Sequence, residues 1–202
     1  MVVSSHRAAW IAAAMLIITV LTQVLYVGAG EATSQGLGKF LWRVETVAYL
    51  VLSLYALRLV RQYPLTAAGL LLGGLLNVLQ LGIGLHLFEP LRAEGVPEAI
   101  SSAIVHFAFF LYFAGKFAIG FAAVALGQVL FRSGMGALGW TGIVAMLAGI
   151  SAICLATLAM LGSEMRFVFP AGAAGTVAAL LAGIALPLVY RRGEQSAGNS
   201  AD

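Results

Sequence analysis

The chain has 202 residues, of which 61% are hydrophobic and 9% are charged, and its formal net charge is +3. Soluble domains average roughly 25% charged residues, so a water-soluble fold of this length could not cover its surface and lipid must be the surrounding solvent. The positive charge predicts no nucleic-acid partner, because the arginines lie at the ends of apolar segments and form no basic patch.

Six apolar segments follow one another along the chain, at about residues 8–28, 41–60, 65–88, 99–131, 137–162 and 167–190. Each approaches or exceeds the roughly 20 residues that a membrane-spanning helix needs, and none alternates in the manner of a transmembrane strand. The sequence therefore predicts an all-α polytopic membrane protein in contact with the lipid bilayer. Its six transmembrane helices form one domain over residues 1–192. The polar residues 193–202 are predicted to be a disordered cytoplasmic tail.

The first segment raises the question of a cleaved signal peptide, since a short basic stretch precedes it and the small residues of VGAGEA follow. Its length of about 21 residues exceeds the roughly 7–15 of a signal-peptide core. We expect a retained first helix, whereas cleavage would leave five spans.

Basic residues predict the orientation, because cytoplasmic loops carry an excess of lysine and arginine. With the N-terminus inside, the inner face receives Arg7, Arg58, Arg61, Arg132, Arg191 and Arg192, and the outer face receives Lys39, Arg43, Arg92 and Arg166. We expect both termini to be cytoplasmic.

The fourth segment carries a lysine in its middle, in the stretch YFAGKFAIGF at residues 112–121. A charge at this depth costs about 3 kcal/mol or more and needs a partner. Lys116 lies 16 residues before Arg132, and Glu45 lies 16 residues before Arg61 on a segment of the same direction. The two charges should therefore share one height in the outer half of the membrane, and we expect them to pair.

The third segment adds two amides, Asn77 and Gln80, on one face of a helix. With Glu45 and Lys116 they predict a polar cluster among spans two, three and four. Two interpretations stay open for this cluster. It is either a hydrogen-bond network that fixes helix register, or a ligand-binding site or conduction path for a small solute or ion.

A stripe of small residues marks the last segment, where Gly175, Ala179 and Gly183 recur every four residues. Such stripes let helix backbones approach closely in lipid. The contact predicted here is either within the chain, or with a second copy in a homo-oligomer or a partner in a membrane complex.

Histidines flank the loop between the third and fourth segments. His86 and Glu89 lie three residues apart, and His106 follows on the next segment. Two histidines and a carboxylate are a common zinc set, so these residues are a candidate metal site, with water-bound interfacial histidines as the alternative. A bis-histidine haem is disfavoured because His86 and His106 should differ in height by roughly 9 Å. The chain has no Ser-His-Asp order, phosphate loop or His-x-x-x-His pair, so we predict no cofactor and favour a non-enzymatic role.

The stretch LFRSGMGALGWTGIVAMLAGI, at residues 130–150, combines a span that ends in arginine, a short Ser/Gly turn, LGW and a glycine-rich span. Over about residues 99–162 this resembles bacterial multi-pass membrane proteins grouped under domain-of-unknown-function labels. The resemblance implies a helical bundle in a bacterial cytoplasmic (inner) membrane and implies no activity. Three roles stay open: solute or ion binding or transport, an accessory subunit of a membrane complex, and a haem- or metal-binding membrane enzyme.

Overall fold

The computed structural model describes residues 4–29, 35–93, 95–132, 134, 136–162 and 167–198, and beyond residue 190 it describes the backbone alone. The described residues form six α-helices and no strand. They are α1 (Ser5–Ala29), α2 (Gln35–Leu59), α3 (Pro64–His86), α4 (Glu98–Arg132), α5 (Ala137–Leu161) and α6 (Val168–Gly198), with a 3₁₀ turn at Pro90–Arg92 between α3 and α4. All six helices are long and apolar enough to cross a membrane, which confirms the predicted fold class.

Most helix ends fall within a few residues of the ends of the predicted segments. The largest difference at a helix start is in α2, which begins at Gln35 instead of about residue 41. Glycine and lysine make the first turns of α2 less apolar than the rest of the helix, although their backbone is helical. The backbone of α6 continues to Gly198, so residues 193–198 differ from the disordered tail expected from their composition. Glu194, Gln195 and Ala197 are good helix formers in this stretch.

Five of the helices close a ring. Each of α1, α2, α3, α4 and α6 packs against the next, and α6 packs back against α1. The fifth helix, α5, contacts α4 and α6 from outside the ring and has the smallest buried share of the six spans. With an even number of spans, the start of α1 and the end of α6 lie at one end of the bundle, called here the terminal end, and the starts of α2, α4 and α6 lie at the opposite end.

The fourth helix is too long for a bilayer. Its 35 residues extend about 52 Å at 1.5 Å per residue, against a hydrocarbon core of about 30 Å. The first residue of α4 that is buried is Ala108, and the turns before it are largely exposed. Ser101 Oγ donates to Leu91 O at 3.2 Å and ties one of these turns to the preceding loop. The first turns of α4 therefore extend beyond the rest of the bundle.

Glycines set the closest helix contacts. A Cβ on Gly127 of α4 would lie 2.5 Å from Gly142 O of α5, and a Cβ on Gly149 of α5 would lie 2.5 Å from Gly120 O of α4. Without side chains at these positions the two backbones meet directly, as small residues permit in lipid.

The stripe on α6 is used within the chain. Gly175, Ala179 and Gly183 are all buried. A Cβ on Gly175 would collide with the side chain of Lys116 on α4, and a Cβ on Gly183 would lie 3.2 Å from Ile17 Cδ1 on α1. Of the two uses predicted for this stripe, the structure shows the contact within the chain, because α1 and α4 cover it; a homo-oligomer or a membrane-complex partner stays a prediction.

Large apolar side chains cover the outside of the bundle. Leu54 of α2, Phe107 of α4 and Leu147 of α5 are each more than half exposed, at 65%, 55% and 61%. In water such a surface would drive aggregation, whereas lipid tails solvate it. The chain is thus a multi-pass α-helical membrane protein.

Candidate functional site

A glutamine on α1 lies at the centre of the polar cluster. Gln23 Oε1 accepts hydrogen bonds from Lys116 Nζ at 2.7 Å and from Thr176 Oγ1 at 2.5 Å. Gln23 Nε2 donates to Glu45 Oε1 at 2.6 Å and to the Tyr49 hydroxyl at 3.4 Å. The partners fix the orientation of the amide, because a lysine can only donate and a carboxylate can only accept. One side chain thereby joins α1, α2, α4 and α6.

Lys116 is fully buried, with 0% of its residue surface exposed. Its aliphatic stem packs against Gly175, where a Cβ would lie 2.5 Å from Lys116 Cδ and 2.8 Å from Lys116 Cβ. The ammonium reaches Gln23 and lies 5.0 Å from the centre of the Tyr112 ring, one helical turn earlier on α4. A ring face attracts a cation electrostatically, most strongly where water is excluded. These contacts stabilise the buried ammonium, for which the sequence predicted Glu45 as the partner.

Glu45 and Lys116 meet through Gln23 and not directly. Glu45 is 6% exposed, and among the described residues the ion pair within 4.0 Å is Lys39–Glu89. The shared height predicted from the two arginines is correct, since both charges bind the same amide. The two predicted partners therefore meet through an intervening amide, which a comparison of two segments could not reveal because the amide comes from a third helix.

Thr176 completes the cluster from α6. Its hydroxyl lies within hydrogen-bonding distance of Gln23 Oε1 and also of Gly172 O, at 2.9 Å, one turn earlier in its own helix. A hydroxyl has one proton, so Thr176 can donate fully to one of these oxygens at a time.

The two amides of α3 behave differently from the prediction. Asn77 is buried at 1% and donates to Gly73 O of its own helix at 2.7 Å. It packs against the backbone of Gly115, where an added Cβ would overlap its amide, so it neighbours Lys116 without bonding to it. Gln80 is half-buried and has no hydrogen bond among the described residues. The structure thus keeps Asn77 beside the cluster and leaves Gln80 outside it.

Three residues of the site were missed at the sequence level: Gln23, Tyr49 and Thr176. Gln23 had a usable signal, because it is the sole amide side chain of the first apolar segment, and amides inside a span usually bond across helices. Tyrosine and threonine are common in spans and gave no comparable signal.

The candidate metal residues do not form a site. His86, Glu89 and His106 are all exposed, and the described residues include no group of three His, Cys, Asp or Glu side chains able to hold a metal ion. Glu89 instead accepts from Lys39, and His106 Nδ1 lies 3.3 Å from Ser102 Oγ on its own helix. The hydrogen bond from Lys39 holds the pKa of the Glu89 carboxyl below its ordinary value of 4.5.

An aromatic group separates the cluster from the opposite end of the bundle. The Trp42 ring lies 5.6 Å from the Tyr26 ring and 6.2 Å from the Phe88 ring, centre to centre. Tyr26 is one turn beyond Gln23 on α1, and Trp42 is one turn before Glu45 on α2. Rings at this level suit the boundary between hydrocarbon and headgroups, where tryptophan and tyrosine concentrate.

The chain matches no protein-family model, and no significant match was found among curated proteins or solved structures. The resemblance of residues 99–162 to bacterial multi-pass proteins therefore stays a prediction.

Proposed function

We propose that this membrane protein binds or transports a small polar solute or ion at the cluster of Gln23, Glu45, Lys116 and Thr176. One observation supports the proposal above the others: buried charged groups there keep unused hydrogen-bonding capacity. The Lys116 ammonium has three N–H donors and makes one described hydrogen bond, to Gln23. Glu45 accepts one described side-chain hydrogen bond, at Oε1, whereas an ionised carboxylate has about four acceptor sites.

A network that served only to fix helix register would be expected to satisfy its members fully, since a partly satisfied buried charge is costly. Retaining such groups at a cost to stability is typical of binding and transport sites in membrane proteins. The accessory-subunit alternative loses one of its supporting features, because the stripe of α6 is covered by the chain itself.

We further propose that the protein lies in the cytoplasmic membrane of a bacterium with both termini in the cytoplasm. The support is the excess of basic residues at the terminal end and the resemblance of the fourth and fifth spans. The cluster would then lie in the outer half of the membrane.

The test is a thermal-shift measurement of the purified protein in detergent with inorganic cations, inorganic anions, amino acids and small amides. We expect at least one of these probes to raise the melting temperature of the wild type in a saturable way and to leave Lys116→Met unchanged. Lys39→Met is the matched control, because this lysine is exposed and outside the cluster, and it should respond as the wild type does. A wild type that responds to none of the probes would overturn the proposal in favour of a purely structural network.

A further inference from the structure

The amide of Gln23 occupies the position that a ligand would take. Its oxygen faces two donors, Lys116 and Thr176, and its nitrogen faces two acceptors, Glu45 and the Tyr49 hydroxyl. These four groups come from α2, α4 and α6, whereas the amide that joins them comes from α1. Without Gln23, these four groups are arranged to bind a ligand that has an oxygen acceptor next to an N–H donor.

The end of α1 that carries Gln23 is loosely packed. Residues 24–28 are all classed as exposed, and the described contact of this stretch with the bundle is that of the Tyr26 ring with the Trp42 ring. Gln23 itself is half-buried, whereas Lys116, Glu45 and Tyr49 are buried. A segment with few buried contacts opens at a low free-energy cost, so α1 can withdraw Gln23 more easily than these three buried partners can move.

The charges select among solutes. One ammonium and one carboxylate face the amide, so their formal charges cancel. A lone cation would be repelled by Lys116 and a lone anion by Glu45, whereas a neutral amide or a small zwitterion satisfies both ends. The complementary ligand therefore carries a carbonyl or carboxylate oxygen beside an N–H group and has no net charge.

We propose that Gln23 is a built-in plug, and that the site it fills takes a small solute of this class, with a primary amide as its simplest member. The inference rests on the proposed function and deepens it by naming the ligand chemistry. When α1 withdraws Gln23, the solute's oxygen binds Lys116 and Thr176, and its N–H group binds Glu45 and Tyr49.

The experiment removes the plug and supplies its functional group in solution. Gln23→Ala opens the site, and Leu16→Ala is the matched control, because Leu16 is buried in the same helix and leaves an apolar cavity. The probe is acetamide, compared with acetate and methylammonium, which each carry half of the pattern. The readout is the saturable rise of melting temperature in detergent, from which an apparent Kd follows.

We expect acetamide to bind Gln23→Ala about tenfold or more tightly than it binds the wild type, because the plug no longer competes for the site. Acetate and methylammonium should shift this variant less than acetamide does, and Leu16→Ala should not distinguish the three probes. An equal response of Gln23→Ala and Leu16→Ala to acetamide would overturn the plug.

A second measurement covers a variant that does not fold. Gln23→Ala is then purified twice, once with acetamide and once with acetate present at every step. We expect monodisperse protein from the acetamide preparation and not from the acetate preparation. Recovery with neither additive overturns it.

The two proposals can fail separately: if the wild type responds to a probe through Lys116 while Gln23→Ala gains nothing, the plug is wrong and the solute site stands. If neither responds, both are wrong.

Discussion

At the scale of single residues, an uncharged glutamine, Gln23, lies between the two buried charges of Glu45 and Lys116. A lysine and a glutamate in direct contact inside a membrane would neutralise each other and leave little for a third group. With Gln23 between them, each charge is partly satisfied by an amide dipole and keeps further hydrogen-bonding capacity. Glutamine suits this position because its side chain ends in both an acceptor and a donor.

The energetic importance of Gln23 can be compared with that of a second glutamine in the same chain. Gln23→Leu removes four hydrogen bonds, which at about 0.6 kcal/mol each predicts a loss of at least about 2 kcal/mol, and the two buried charges left without this partner add to it. Gln80→Leu is the control, since Gln80 has no hydrogen bond among the described residues. Unfolding in detergent measures both. Equal stabilities for the two variants would show that the network does not stabilise the fold.

The sequence predicted which charged residues belong to the site, but it did not predict that Gln23 connects them. Lys116 and Glu45 were conspicuous because ionisable residues are rare in spans, and the count from two arginines placed them at one height. The direction in which each side chain points depends on how the helices rotate about their axes, which packing decides. The i, i+3 spacing therefore predicted that Asn77 and Gln80 share one face of a helix and one cluster. In the bundle, Asn77 is buried and Gln80 is half-buried.

At the scale of helices, glycines decide which segments meet. Gly175 is the clearest case, because the stem of Lys116 occupies the space where a side chain would stand. The close approach of α4 and α6 and the position of the lysine therefore depend on each other.

Gly175→Ala should therefore be costly. The new methyl group would lie 2.5–2.8 Å from three atoms of the Lys116 stem, and overpacking of this kind costs about 1–3 kcal/mol. Gly82→Ala on α3 is the matched control, since nothing lies within 4 Å of its added Cβ, and alanine there should be neutral or stabilising by up to about 1 kcal/mol. Thermal unfolding measures the two variants. A Gly175→Ala protein as stable as Gly82→Ala would contradict the packing described here.

The ion pair of Lys39 and Glu89 links the start of α2 to the turn that follows α3, and it should make stability depend on pH. Because Lys39 holds the folded-state pKa of Glu89 below its ordinary value of 4.5, the pair stabilises the protein above that value. The contribution is lost as pH falls through the folded-state pKa. We expect Glu89→Gln to lose less stability than the wild type between neutral pH and pH about 3, and the difference to shrink in high salt. Parallel acid titrations of the wild type and Glu89→Gln would contradict this.

The spans themselves were predictable because membrane thickness fixes how long an apolar helix must be. The partner of a small-residue stripe was not predictable, since a stripe shows that something approaches closely without showing what. On α6 the approaching surfaces are Lys116 of α4 and Ile17 of α1, both within the chain.

At the scale of the whole molecule, five helices form a ring, four of them supply the side chains of the cluster, and the sixth packs outside the ring. The aromatic group of Tyr26, Trp42 and Phe88 lies between the cluster and the opposite end. A solute reaching the cluster from that end would have to pass these rings or the loosely packed end of α1 beside them.

The proposed orientation predicts which loops can be labelled from outside the cell. In a Cys154→Ser background, Ala93→Cys should react with a membrane-impermeant maleimide on intact cells, because its loop is at the opposite end. Gln62→Cys, exposed at the terminal end, should react only after permeabilisation. The reverse pattern would place both termini outside.

The central claim is that Glu45 and Lys116 belong to one network joined by Gln23, and a double-mutant cycle tests it most directly. Glu45→Gln, Lys116→Met and the double variant are unfolded in detergent under identical conditions. Each single change leaves an uncompensated buried group and should cost about 3 kcal/mol. The double variant should cost less than the sum of the single variants by about 1–3 kcal/mol. Losses that add to within about 0.5 kcal/mol would mean that the two residues are independent, and the network described here would be wrong.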